Sequence, residues 1–262
     1  MVLPTARGKA LLTRPPLVAP PPAGGPFDFT PSDYEVLLRP SGLLQSAGTL
    51  TGWTNDGSLG GSFVASGSPV YQANAINGLA GAQFTYTNGL AANSALMLGG
   101  GTQSIICLVA CDSYLDQPVF IHHGVTTTDG FALDVSSSGS GTPQAILSFG
   151  DGYQGGDRPP TCNSANNVFT GAAFHIIRVD LGAGGNLIEF DGQTLVPAMN
   201  VPGVVPALSA VTTVAGQTYV RIVFMVLALD KPDSLLDKVV GKIAWDAGLT
   251  LHASHPYASA RP

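Results

Sequence analysis

Glutamate occurs twice in this 262-residue chain, at Glu35 and Glu189. Retaining glycosidases need two carboxyl groups about 5 Å apart across the scissile bond. The nearest candidates are Glu189 and Asp191 in Glu189-Phe190-Asp191, which strand alternation puts on one face. Asp191, however, opens an Asp191-Gly192 turn, so the pair suits hairpin capping better than catalysis, and Glu35 is far away in sequence. Nucleophiles fare no better. Gly139-Ser140-Gly141 lies in a flexible stretch rather than at a strand-to-helix elbow, and Cys107 falls mid-strand. No CxxC or Cys/His zinc spacing occurs; His122-His123 ends a strand, and His252 with His255 makes only two ligands. Asp151, Asp157 and Asn163 could offer hard oxygens to Ca2+, but without an Asp-x-Asp-x-Asp loop. The expectation is a protein that is not an enzyme and needs no cofactor, with Ca2+ the single ion that has candidate ligands.

Sugar recognition is the chemistry these residue types fit better, because a pyranose presents an apolar face to an aromatic ring and hydroxyls to amides and acids. One candidate set is Trp53 with Asn55 and Asp56. The other is Tyr153 with Gln154, Asp157 and Arg158, in a long irregular stretch of the kind that carries function. Trp53 also suits a sandwich core, which is the preferred reading for that residue.

These groups must be held by strands. Short apolar runs predict them at Gln83–Thr87, Ser104–Ala110, Val119–His122, Phe131–Val135, Ala145–Phe149, Phe174–Asp180, Leu187–Phe190, Leu195–Pro197, Ala210–Val214 and Tyr219–Leu229. Asp191-Gly192 between two such runs is a type I′ hairpin signal. Near the end, Leu235, Leu236, Val239, Val240, Ile243 and Ala247 recur at helical spacing. Asp233 is the expected N-cap, and Gly248 stands where a left-handed residue ends a helix, giving a helix over 233–247. Roughly ten strands and one late helix define an all-β fold: a two-sheet antiparallel β-sandwich, or jelly roll, with one C-terminal helix and an extended N-terminal arm.

Composition agrees. Charged residues are 11% against about 25% in ordinary soluble chains, with 33 Gly and 20 Pro, which suits an uncharged polar surface exposed outside cells or on a virion. Cys107 and Cys111 are roughly 13 Å apart on one strand, too far to bridge. Either could pair with Cys162, but buried thiols are the simpler reading.

The arm, residues 1–30, contrasts with the domain at 31–262. Arg7, Lys9 and Arg14 give its first sixteen residues +3, while the remaining 8 basic and 17 acidic residues leave the body at −9. A nucleic-acid-binding body is excluded by that balance. Pro15 to Pro26 predicts polyproline II spanning roughly 37 Å. Leu11, Leu12, Leu17 and Val18 supply apolar anchors, so the arm reads either as a solvated tail or as an anchor lying along a neighbouring subunit. The N-terminus has no apolar signal-peptide core, and no run approaches the ~20 residues of a membrane helix.

The terminal segment, Gly241-Lys242-Ile243-Ala244-Trp245-Asp246-Ala247-Gly248-Leu249 followed by His255-Pro256-Tyr257, resembles the closing helix and tail of concanavalin A-like (laminin-G-like) jelly-roll domains of tailed-phage and gene-transfer-agent virion proteins. The pattern there reads Gly-Tyr-Leu-Ala-Trp-Lys-Trp-Gly-Leu before His-Pro-Tyr. Trp53-Thr54-Asn55-Asp56-Gly57, Pro69-Val70-Tyr71, Ile76-Asn77-Gly78, Ala82-Gln83-Phe84 and Phe174-His175-Ile176-Ile177-Arg178 extend the likeness over about residues 31 to 257. Lys242 and Ala247 depart from it, standing where the pattern has aromatics, and the arm lies outside it. The resemblance implies a structural protein on the virion surface, a capsid decoration or head spike ahead of a tail appendage. Its implied partners are other virion proteins, copies of itself and host-surface polysaccharide. It implies no catalytic residues. A free carbohydrate-binding lectin or adhesin is the alternative, and a glycoside hydrolase is disfavoured.

Overall fold

The computed structural model describes residues 27–111, 119–124, 130–137, 143–149, 161–163, 169, 172–196, 199–201, 203–204, 207–215 and 219–262. They form a two-sheet antiparallel β-sandwich with one helix, the fold class expected from the sequence. The inner sheet runs, in spatial order, Val70–Ile76, Leu79–Phe84, Val220–Leu229, Gln103–Cys111, His175–Leu181, Leu187–Phe190 and Gln193–Leu195. Val36–Leu38 pairs beside the second half of Val220–Leu229. The outer sheet runs Leu43–Ser46, Thr49–Thr54, Ser62–Ser66, Gly89–Ala92, Thr212–Val214, Val119–His123, Phe131–Ser137, Pro143–Phe149, Thr161–Asn163 and Met199–Val201. Leu96–Leu98 and Leu208–Ala210 form a separate two-stranded pair.

Two cores follow from this layering. Between the sheets lie Trp53, Phe63, Leu90, Ile121, Phe131 and Val214 of the outer sheet against Phe84, Ile105, Cys107, Ile177, Val220 and Met225 of the inner one. Behind the inner sheet, Ile106, Leu108, Ile176, Phe224 and Val226 meet Leu236, Val239, Val240, Ile243 and Ala247 of the helix. A sheet covered on both faces cannot alternate apolar with polar, which is why every residue of Gln103–Cys111 is buried. In Val220–Leu229 the register slips between Ile222 and Phe224. This bulge puts Val223 and Phe224 both on the helix side, thickening the second core where the helix crosses.

The helix spans Asp233–Ala247, and Gly248 ends it at φ 66, with Leu249 N donating to Ala244 O at 2.8 Å. Its expected N-cap is corrected. Pro232 is the cap residue and Asp233 lies inside the helix, because the Asp233 carboxylate is drawn to Arg178 at 2.6 Å. The Asp191-Gly192 hairpin forms as expected, with φ of 50 and 78 and Phe190 opposite Gln193.

Several strands of the first hundred residues were not anticipated, among them Thr49–Thr54, Ser62–Ser66 and Val70–Ile76. Their sequences mix small and polar residues, and their exposed faces weaken the apolar pattern. The run read as a strand at Gln83–Thr87 instead ends at Phe84. The boundary between arm and domain also moves. Phe27 and Phe29, inside the segment assigned to the arm, pack on the Phe224 ring at centroid distances of 5.0 and 5.3 Å, and Phe27 N donates to Asp246. The folded unit therefore includes residue 27 onward. The anchoring candidates Arg7, Lys9, Leu11, Leu12, Arg14, Leu17 and Val18 lie outside the described residues.

Candidate functional site

Trp53 takes the core position preferred above, which corrects its candidacy as a sugar platform. It is fully buried in the inter-sheet core, and its indole N–H donates to Arg39 O at 2.7 Å. Asn55 is spent on the backbone: Oδ1 accepts from Leu37 N and Gly57 N, and Nδ2 donates to Gly60 O. Asp56 pairs with Arg39 at 2.8 Å. This trio locks a turn over the core and offers no aromatic face to solvent. Tyr153, Gln154, Asp157 and Arg158 lie outside the described residues, as does Asp151 of the Ca2+ candidates. Among the described residues, no group of three or more His, Cys, Asp or Glu side chains is placed to hold a metal ion.

A buried ionic cluster gathers most of the remaining chemistry. Arg178, 2% exposed, reaches Asp180 on its own strand, Asp233 at 2.6 Å and Asp237 at 2.7 Å on the helix, and Glu189 at 3.6 Å on the neighbouring strand. Strand alternation alone puts Arg178 and Asp180 on the helix-facing side, where one guanidinium meets several acids. Burial pushes the Glu189 carboxyl up to about 7, against the pull of Arg178.

The tail closes this cluster. His255 Nε2 stands 3.6 Å from Glu189 Oε1, and burial lowers its pKa. Glycine is required beneath it by close approach: a Cβ at 192 would fall 2.9 Å from His255 Cβ, and one at 241 would fall 2.7 Å from Tyr257 Cβ. His252 turns away to Ser254. Asp191 accepts from Ile176 N and from His175 at 2.7 Å, as a hairpin cap. Glu189, 5% exposed, thus lies beneath helix and tail.

The open site lies on the solvent face of the outer sheet. Ser66 pairs with Gly89, and Ala91 stands between Val64 and Thr213, so Ser66, Gly89, Ala91 and Thr213 share one face while Leu90 and Val214 point into the core. Small residues there leave a groove of about 340 Å³. At its rim a tight turn raises Tyr86. Asn88 Oδ1 accepts from Thr85 N at 2.8 Å, and Nδ2 donates to Thr85 Oγ1 at 2.9 Å. Gly89 lets this turn lie against the next strand, since a Cβ there would meet Ala215 O at 2.6 Å. Tyr86 is left half exposed, at 50%. The result is a half-exposed aromatic ring beside hydroxyls and an amide, with no charge among the described lining residues. Such a surface can stack on and hydrogen-bond a polyhydroxylated ligand. Sequence reasoning missed it by extending a strand through Thr87. The available signal was Thr85-Tyr86-Thr87-Asn88-Gly89, an aromatic framed by turn-forming residues.

No family model and no curated protein matches this sequence. Its fold does have counterparts among solved structures. The binding domain of botulinum neurotoxin DC in complex with rat synaptotagmin II aligns with a TM-score of 0.55 at 9% identity, over 80% of this chain and 52% of that one. The same toxin's binding domain in complex with SialylT aligns at 0.55 and 10% identity, over 80% and 51%. A botulinum neurotoxin type C structure, described by the dependence of cell entry on interaction with two ganglioside molecules, aligns at 0.52 and 11%, over 82% and 51%. This chain spans about half the length of these neighbours, and at such identities the likeness concerns the fold alone. The class is an all-β, two-sheet antiparallel sandwich.

Proposed function

We propose that this chain is a non-catalytic recognition domain that binds cell-surface carbohydrate and is displayed on a virion by its N-terminal arm. The observation that carries the carbohydrate reading is the groove beneath the half-exposed Tyr86, lined by hydroxyls and an amide without a charge among its described residues. The ganglioside- and SialylT-related neighbours share the scaffold and support the same reading by analogy. The non-catalytic reading is supported by Glu189, whose carboxyl is enclosed by Arg178, the helix and His255.

Display on a capsid or head spike, contact with other virion proteins and homo-oligomers rest on the terminal-motif resemblance and on the basic, proline-rich arm. A free lectin or adhesin has the same groove and differs only in lacking the particle. A glycan array probed with the full chain tests recognition, and saturation against any glycan class is the expected result. Removal of residues 1–26 tests display. Particle incorporation should be lost while the thermal midpoint is kept, and unchanged incorporation would overturn the arm's role in display.

A further inference from the structure

We infer that the Tyr86 groove selects the neutral pyranose end of a glycan and discriminates against sialylated or otherwise anionic sugars, an assignment that rests on the carbohydrate reading above. Three observations carry it.

The first is the floor. Ala91 brings a single methyl to the sheet surface and Gly89 none, its Cβ position being filled by Ala215 O at 2.6 Å, so the floor is low enough for the C–H face of a sugar ring to lie beside Tyr86. The turn that holds Tyr86 is already closed by three hydrogen bonds between Thr85 and Asn88, so little ordering remains on binding.

The second is the polar inventory. Among the described residues, the hydroxyls of Ser66, Thr87 and Thr213 have no side-chain partner, and Asn88, 8% exposed, gives one amide hydrogen to Thr85. Hydroxyls both donate and accept, which matches the hydroxyl edge of a neutral sugar. At about 340 Å³ the groove is at the small end of the ~300–1,000 Å³ range of ligand sites, which suits a terminal mono- or disaccharide rather than a long chain.

The third is charge. A carboxylate or sulfate entering the groove must shed water and find a cationic or multi-donor partner. The described lining offers no Lys, Arg or His, and the whole chain carries −6. The field of the molecule therefore adds repulsion to an unmatched desolvation.

Saturation-transfer NMR on the full chain with lactose, methyl glucoside, methyl galactoside and 3′-sialyllactose at millimolar concentration tests this, alongside Tyr86→Ala and Tyr86→Phe. Tyr86 is half exposed, so both variants should fold, which circular dichroism verifies. A neutral sugar should bind at least about tenfold better than the sialylated one. Tyr86→Ala should weaken it about tenfold, and Tyr86→Phe should stay within about threefold. Sugar binding that survives Tyr86→Ala, or that favours 3′-sialyllactose, overturns this inference and leaves carbohydrate recognition intact. Absence of binding to every glycan on an array by the unmodified chain overturns both.

Discussion

Glu189 retains a proton near neutrality because burial outweighs the adjacent Arg178, and that balance gives the cluster a measurable pH signature. Its folded pKa, about 7, lies above the ordinary 4.5. The stability it contributes is therefore fully present below about 4.5 and is lost as pH rises through about 7. Asp134, also pushed up to about 7 by burial, acts in the same direction. His255 opposes them: its lowered pKa means that its contribution is present above about 6.5 and is lost as pH falls through the folded value. Glu189→Gln should accordingly remove on the order of 1–3 kcal/mol of the stability difference between about pH 5 and pH 8, read from urea melts at both values. An identical pH slope in the two proteins would assign the proton elsewhere. Arg178→Met leaves the Asp180 and Asp237 carboxylates uncompensated and should cost about 3–5 kcal/mol in the same assay.

At the scale of elements, the helix and tail act as a clasp on the inner sheet. The helix covers the rear core, and the tail then covers the ionic cluster and the Asp191-Gly192 turn. Trp245 N–H reaches Tyr257 O at 3.4 Å, and Arg261 pairs with Asp246 at 2.7 Å, so the tail returns to the helix that launched it. Gly192→Val introduces a β-branched residue at φ 78 and drives Cβ into His255. It should lower stability by about 1–3 kcal/mol and expose residues 249–262 to limited proteolysis, while Gln193→Ala on the exposed neighbouring position should do neither.

For the whole molecule, the placement of Phe27 and Phe29 decides where an arm can be cut. Deleting residues 1–26 keeps the stack on Phe224 and should shift the denaturation midpoint little. Deleting 1–30 removes two buried aromatic side chains and should cost at least about 3–5 kcal/mol by chemical denaturation. Only the shorter deletion separates display from folding. The division of labour is also spatial. The centre of the inner sheet, Gln103–Cys111 and Val220–Leu229, is buried on both faces and carries stability, whereas the outer sheet keeps one face in water and there holds the Tyr86 groove.

Much of the scaffold was legible because it depends on near neighbours. Gly248 ends the helix since a left-handed residue is needed there, Asp191-Gly192 turns since a type I′ hairpin needs positive φ, and the doubly buried strands show as unbroken apolar runs. The half-exposed strands were less legible: Val70–Ile76 reads Val-Tyr-Gln-Ala-Asn-Ala-Ile, where solvent tolerates any small or polar residue.

The site was hardly legible at all. Trp53 and Tyr86 are both aromatics beside turn residues, and nothing local ranks one above the other. Exposure is a property of what the rest of the chain lays over a residue, and the second sheet covers Trp53 while leaving Tyr86 at the rim. Arg178 likewise meets acids 55 and 59 positions away only because the helix crosses behind its strand. The sequence by itself determined the all-β class, the hairpin and the terminal helix, through backbone preferences that act over a few residues. Only the tertiary structure decided which aromatic faces a ligand and which charges are buried together, because long-range packing sets both.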